Sequence, residues 1–441
     1  MAVTNIWHVL NLRESPFFQA ELEAEGRYPT ELFVGRRDEI DYVLAGVGGA
    51  PDSRHAIQGP PGVGKTTLVN RIKAELGEAG YVVAAEPVSV TSASDADALR
   101  LQILTRVHDA LVARDARTAD LPPMRTVRQL LAAERTRSWG VSLGVPQVAS
   151  AGLSGGEARN TGPGALSVRP APLLRELGRI ASDPRLETPG IVVHLDNLEN
   201  VADAAQDEAA RILRDLRDTG LRYDGLHYIL AGTDDAVQAI VASQEQLRSI
   251  FGNPGSLRPL TESELDRLLT LRFDHLRHFD DRPWLSPVEP DAVHRLHRIF
   301  AGNLRGTLHA LDESAKVLVG HAERPTDPMD FARMQPVLRR LYETKARSDL
   351  ESHQRAQLAA VAELGAAAVV TQADMTRPFG LESTATLEAL KALKRQGYLA
   401  EVPPASTGKR GRPPRTFALS GAARLAFGLA NGPDRASALA S

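Results

Sequence analysis

Gly59-Pro-Pro-Gly-Val-Gly64-Lys65-Thr66 is the stretch from which the rest of the chain can be read. It satisfies the pattern G-x-x-x-x-G-K-[ST], in which glycines let backbone N–H groups curl around phosphate oxygens. The helix expected to follow adds a dipole that favours negative charge at its start. Gly59, Pro60, Pro61, Gly62, Val63, Gly64, Lys65, Thr66 and Thr67 are therefore read as a loop that binds a nucleoside triphosphate. Lys65 is expected to reach the β- and γ-phosphates, and Thr66 to ligate Mg²⁺. ATP and Mg²⁺ are the cofactors this implies.

Around that loop, from about residue 53 to 260, short apolar runs alternate with amphipathic helical stretches. Candidate strands are 55–58, 81–85, 191–195 and 226–231. Alternation of this kind predicts a parallel sheet covered by helices, an α/β P-loop fold. The run Ile191-Val-Val-His-Leu195-Asp196 is an apolar strand ending in an acid. Asp196 is read as the second carboxylate of the site, holding Mg²⁺ through its water shell together with Thr66. A segment rich in Gly, Ser, Ala and Pro, 137–172, interrupts the pattern as an insertion, either a β-hairpin or a loop.

Composition narrows the class. The 441 residues suggest two to four domains, and 43% hydrophobic content is enough to bury a core. With 52 basic and 55 acidic side chains the net charge is −3, so any nucleic-acid surface must be local. The absence of cysteine excludes disulfides, thiolate metal sites and Cys nucleophiles. Residues 1–18 carry Arg13, Glu14 and Pro16, unlike a secretory signal, and no apolar stretch suits a membrane helix. A cytoplasmic protein without a membrane partner is expected.

At this point the chain resembles an AAA+ ATPase, in particular the origin-recognition and replication-initiator branch, with STAND-type P-loop ATPases next. The resemblance runs in order over about residues 10–430. Ser15-Pro-Phe-Phe18 and Phe33-Val-Gly35-Arg36-Arg-Asp-Glu39 resemble the family's "F-x-G-R-x-x-E" segment, which lies beside the adenine. The strand at 226–233 resembles sensor 1, which implies that Thr233, or Asp234 in reserve, contacts the γ-phosphate or attacking water. Ala301-Gly302-Asn303-Leu304-Arg305 resembles the sensor-2 motif of a helical lid, which implies that Arg305 contacts the γ-phosphate. Arg248 lies where the family places a trans-acting arginine finger, with Arg258 nearby. Hydrolysing members follow the Walker B Asp with a Glu; here Asn197 follows, and the nearest acid is Glu199. Asn can orient water but cannot take its proton, so slow ATP hydrolysis is expected.

Residues 356–428 read as a winged helix, with helices at 357–367, 372–377 and from 383 or 384 to Gly397, then strands at 398–402 and 416–419. In such domains the third helix enters the major groove. Ser383, Thr384 and Thr386 are expected at base edges, and Lys391, Lys394 and Arg395 nearer phosphates. The loop Lys409-Arg410-Gly411-Arg412-Pro413, followed by Arg415, resembles an AT-hook core suited to a narrow minor groove. From Lys391 to Arg415 there are seven basic residues against one acid, Glu401.

The expected organisation is a lead-in (1–50), a nucleotide-binding α/β domain (51–260), a helical lid and linker (261–350) and a winged-helix DNA-binding domain (351–441). The expected function is an ATP-dependent DNA-binding AAA+ ATPase whose nucleotide state switches assembly on duplex DNA, as a homo-oligomer when ATP is bound. Two alternatives stand beside it. One is a STAND-type sensor or defence ATPase with an autoinhibitory winged helix; the other is a transposon target-selection ATPase. Any further output would come from an effector or recruited protein.

Overall fold

The computed structural model describes residues 5–90, 95–142, 170–198, 201, 206–321, 326–402 and 414–429. The first region comprises α1 (Arg37–Gly48), β1 (Ser53–Gln58), α2 (Lys65–Glu78), β2 (Val82–Val83), β3 (Val88–Ser89), α3 (Ala96–Arg114), α4 (Pro122–Ser142) and α5 (Pro170–Ala181). It continues through β4 (Ile191–Asp196), α6 (Gln206–Arg217), β5 (Leu226–Gly232), α7 (Asp234–Val237), α8 (Glu245–Phe251) and β6 (Gly255–Ser256). The six strands form a parallel sheet of order β2-β4-β5-β1-β6, with β3 also pairing to β4.

Every residue of β4 and β5 is buried, as a parallel sheet covered on both faces requires. Alternate residues serve alternate faces. Ile191, Val193, Leu195, Leu226, Tyr228 and Leu230 join the core under α3, α5 and α6. Val192, Ile229, Ala231 and Ile57 pack beneath α1 and α2. The strand expected at 81–85 is shortened to β2, and β3, which was not expected, follows on the same side of β4. Pro87, between them, has no N–H to offer a ladder. Of the expected insertion, 137–142 extends α4 and α5 begins at Pro170; the remainder, with the hairpin-or-loop question, lies outside the described residues.

The second region is helical: α9 (Glu262–His275), α10 (Pro290–Ile299), α11 (Leu304–His321) and α12 (Phe331–Asp349). Thr261 and Glu264 close a reciprocal capping box at the start of α9. The N-terminal arm is built into this lid. Trp7, Leu10, Leu12 and Phe17 share its core with Leu265, Phe273 and Leu296. Asn11 ties the arm down, its Nδ2 donating to the Phe279 and Arg282 carbonyls at 3.0 and 2.9 Å. Arg272 is fully buried and donates to the Phe18 carbonyl at 2.8 Å, with its guanidinium 4.0 Å from the Phe18 ring. Burial pushes that guanidinium down to about 9.

The third region holds α13 (Ser352–Ala362), β7 (Val369–Thr371), α14 (Gln372–Phe379), α15 (Ser383–Arg395), β8 (Leu399–Val402), β9 (Thr416–Leu419) and α16 (Gly421–Ala426). Its three strands pair antiparallel in the order β7-β9-β8, giving a winged helix. The first helix starts five residues before the expected 357, because Glu351 and Gln354 form a capping box. It stops before Gly365, whose φ is +97°. α16 fastens the domain to the lid: Leu425 and Ala426 enter the lid core, and Gly421 sits against the Phe300 ring. Among the described residues no helix is long and apolar enough to cross a membrane.

Candidate functional site

The sheet register sets the site. Gln58 lies opposite Gly232, and Leu195 opposite Leu230, so the carboxyl ends of β1, β5 and β4 come together. Ligands of open α/β sheets bind outside those ends. The P-loop leaves β1 here. Gly62 and Gly64 have φ of +73° and +100°, conformations that side chains other than glycine resist. Gly64 caps α2 without a side-chain bond, so the first-turn amides, those of Lys65, Thr66 and Thr67 among them, stand at a helix start suited to an anion.

Lys65 is buried, with Nζ donating to the carbonyls of Gly59 at 3.0 Å and Pro60 at 3.3 Å. Its ammonium thus lies across the loop. Asp196 ends β4 and is also buried, its Oδ1 accepting from the Asn197 amide at 2.8 Å. A hydroxyl (Thr66) and a carboxylate (Asp196) beside a glycine cradle are a hard-oxygen donor set that suits Mg²⁺ and a triphosphate.

Asn197 takes a left-handed conformation, φ +67°, and its Nδ2 donates to Ser89 Oγ at 3.2 Å. Its side chain is thereby held toward β3. Glu199 lies outside the described residues. Thr233 caps α7, its hydroxyl accepting from the Ala236 amide at 3.4 Å. Asp234, next in sequence, is within electrostatic reach of Lys65; burial raises its carboxyl and Lys65 draws it back down.

The lid reaches the loop directly. The Arg305 amide donates to the Gly62 carbonyl at 3.4 Å. A Cβ on Gly62 would come 2.1 Å from Asn303 Oδ1, so only glycine lets the start of α11 lie on the loop. The Arg305 guanidinium itself is exposed. Arg248 is exposed on α8, as is Arg258, whose carbonyl accepts a bond from Arg36.

That bond belongs to a role the sequence reading missed. Arg36 is largely buried in a left-handed conformation, φ +62°, and donates at 2.9 Å to the carbonyls of both Val63 and Arg258. Burial lowers its guanidinium from the usual range. It ties the P-loop to the segment entering the lid, beside a cavity of about 760 Å³ lined by Val34, Gly35, Leu260 and Glu264 among others. The G-R step of the quoted motif was the available signal.

In the winged helix, Ser383 and Thr384 are exposed at the start of α15, with the Ser383 carbonyl accepting from Gln372 Nε2 at 2.6 Å. Thr386 corrects the sequence reading. It is fully buried and its hydroxyl donates to the Glu382 carbonyl at 3.0 Å, so it belongs to the core and not to a base-reading surface. Lys391 pairs with Glu388 at 3.0 Å, and Arg395 is exposed. Lys394 and Arg415 both pair with Glu401, the latter at 3.6 Å. This cluster is within electrostatic reach of Asp235 on α7. Burial raises the Asp235 carboxyl, Glu401 raises it further, and Lys394 and Arg415 oppose the shift. Lys409, Arg410 and Arg412 lie outside the described residues.

Fold and site define a P-loop nucleotide-binding ATPase carrying a helical lid and a winged helix. Residues 32–223 match the family model of the AAA ATPase domain. Among solved structures, the chain is similar to the Aeropyrum pernix ORC1 protein in complex with DNA, at 16% identity and a TM-score of 0.44, covering 90% of this chain and 92% of that one. It is also similar to the Aeropyrum pernix ORC2 protein in ADPNP–ADP complexes, at 16% identity and TM-score 0.46, covering 98% and 100%. A Walker-type ATPase of Pyrococcus abyssi gives 13% identity and TM-score 0.45, covering 93% and 99%. No curated protein matches the sequence.

Proposed function

We propose that this ATPase is a cytoplasmic, nucleotide-switched DNA-binding protein, in which ATP bound with Mg²⁺ favours assembly of several copies on duplex DNA. The observation that carries the reading is the continuous connection from loop to winged helix. The start of α11 lies on Gly62, and α16 of the winged helix is packed into the lid that α11 belongs to. A change in the loop's contents therefore acts on the element that carries the DNA reader.

Lys65, Thr66 and Asp196 are the residues that would hold the triphosphate and its metal, which supplies charge neutralisation when bound. Arg305, at the start of α11, would follow the γ-phosphate, and Thr233 or Asp234, at the start of α7, would sense it. Arg248 would serve a neighbouring copy. With Asn197 held toward Ser89, no base stands directly after Asp196, and hydrolysis is slow. On the winged helix, Ser383 and Thr384 would face bases, while Lys391, Lys394, Arg395, Lys409, Arg410, Arg412 and Arg415 would face phosphates.

The test is fluorescence anisotropy on duplex DNA with ATP, with ADP and with neither, at two salt concentrations. Binding that ATP strengthens, with a salt slope of roughly −4 to −5 for about four to six neutralised phosphates, is the expected result. A second reading draws on Asp235 facing Lys394 and Arg415. In that reading the winged helix is an autoinhibitory element of a sensor ATPase. Oligomers that form with ATP in the absence of DNA, together with no duplex binding in any state, would select it.

A further inference from the structure

We propose that α12 carries a second phosphate-contacting surface, a file of Arg333, Arg340 and Arg347 along which duplex DNA held by the winged helix continues over the lid. The proposal rests on the DNA-binding reading above. α12 turns Phe331, Met334, Leu338, Tyr342 and Ala346 into the protein. The three arginines recur every seven residues, close to two helical turns, and so stand in one line on the side opposite Leu338 and Tyr342. All three are exposed.

The file is only partly paired, with Glu343 the one carboxylate on α12 at pairing distance after Arg340 and before Arg347. Four residues after Arg333 and Arg340, where a pairing carboxylate would stand, are Val337 and Thr344. Among the described residues neither Arg333 nor Arg340 makes an ion pair, while Arg347 pairs with Glu343. A step of seven residues advances about 10.5 Å along the helix. Arg333 and Arg347 therefore stand about 21 Å apart along it, a span over which a duplex passes about six base-pair steps.

The file also ends where the winged helix begins. Arg355 of α13 donates to the Leu350 carbonyl at 2.6 Å and the Arg347 carbonyl at 3.2 Å. Gln396, just after α15, donates to Gln354 Oε1 at 3.2 Å. These bonds bring the end of α15, with exposed Arg395, to the C-terminal end of α12. A duplex lying on α15 meets Arg347 next, then Arg340 and Arg333.

The experiment uses the full chain and its triple variant Arg333→Gln, Arg340→Gln, Arg347→Gln, with duplexes of about one and about three helical turns. Affinity is read by anisotropy between about 50 and 200 mM salt. On the long duplex the variant's salt slope should be shallower by about 2.7, so that this salt rise costs it about 40-fold less affinity than it costs the unaltered chain. On the short duplex the two should agree. The triple Arg→Lys variant, which keeps the charge, should restore the slope. An unchanged slope on the long duplex overturns the file, as does an equal loss on both duplexes, which would locate the damage in the winged helix. If the unaltered chain binds neither duplex, the DNA-binding reading itself fails, and the file with it.

Discussion

Acid should loosen the nucleotide-binding sheet by protonating histidines buried in it. His55, His194 and His227 lie on β1, β4 and β5 and are buried, with relative exposures of 9%, 1% and 1%. Burial lowers their imidazoles to about 4, about 3 and about 4. Nearby Arg54 reinforces the shift at His55 and His227, and Lys73 at His194. In the unfolded chain each titrates near about 6.5. Between those values the unfolded state binds more protons than the native one, so stability is complete above about pH 6.5 and falls as the pH drops toward about 4. At about pH 5.5 each histidine favours unfolding by about 1.4 kcal/mol, and the three together by about 4 kcal/mol. For a region of this size that corresponds to a melting temperature lower by about 8–16 °C than at about pH 7.5. Differential scanning calorimetry on the nucleotide-free chain would resolve this transition. A shift below about 3 °C would refute the reasoning. His55→Leu, which replaces the ring resting against Gly46, should shrink the difference by about a third.

Three further outcomes follow from the packing. Arg272→Ala should cost about 2–5 kcal/mol, because it leaves the buried Pro16 and Phe18 carbonyls without their donor and opens a cavity against the Phe18 ring; proteolysis within the N-terminal arm at temperatures the unaltered chain resists would register it. Gly62→Val should weaken ATP binding at least tenfold while leaving the circular dichroism spectrum intact, since φ of +73° and the Asn303 contact both oppose a side chain; unchanged nucleotide affinity would show that the lid does not depend on this approach. Thr386→Lys should unfold the winged helix, not tighten DNA binding, whereas Thr386→Val should cost about 1 kcal/mol; a soluble, well-folded Lys variant would contradict the burial of this position.

What could be read in advance was whatever short-range chemistry constrains. The P-loop spacing and the apolar run ending in Asp196 are each confined to a few residues, and each falls on the expected kind of element. Thr386 was misread although its signal was present: residues 386, 390 and 393 share one helical face with the buried Leu390 and Leu393. Small and polar composition at a helix start outweighed periodicity there. The start of the first winged-helix helix was also legible, in the Glu351 and Gln354 pair, but the apolar pattern drew it later. The arm's place in the lid had no local signature. Asn11 bonds to residues 268 and 271 positions away, and nothing within the arm identifies that partner.

That separation has a consequence for how the chain is made. The arm leaves the ribosome early, while the segment that covers Leu10 and Leu12 follows some 270 residues later. At about 5–20 residues per second, the wait is roughly 15–55 s. During it Trp7, Leu10, Leu12 and Phe17 have no lid to enter, while the nucleotide-binding sheet between them is being completed. Closure of the lid core therefore follows completion of the nucleotide-binding sheet, and until then the nascent chain presents these apolar side chains to chaperones.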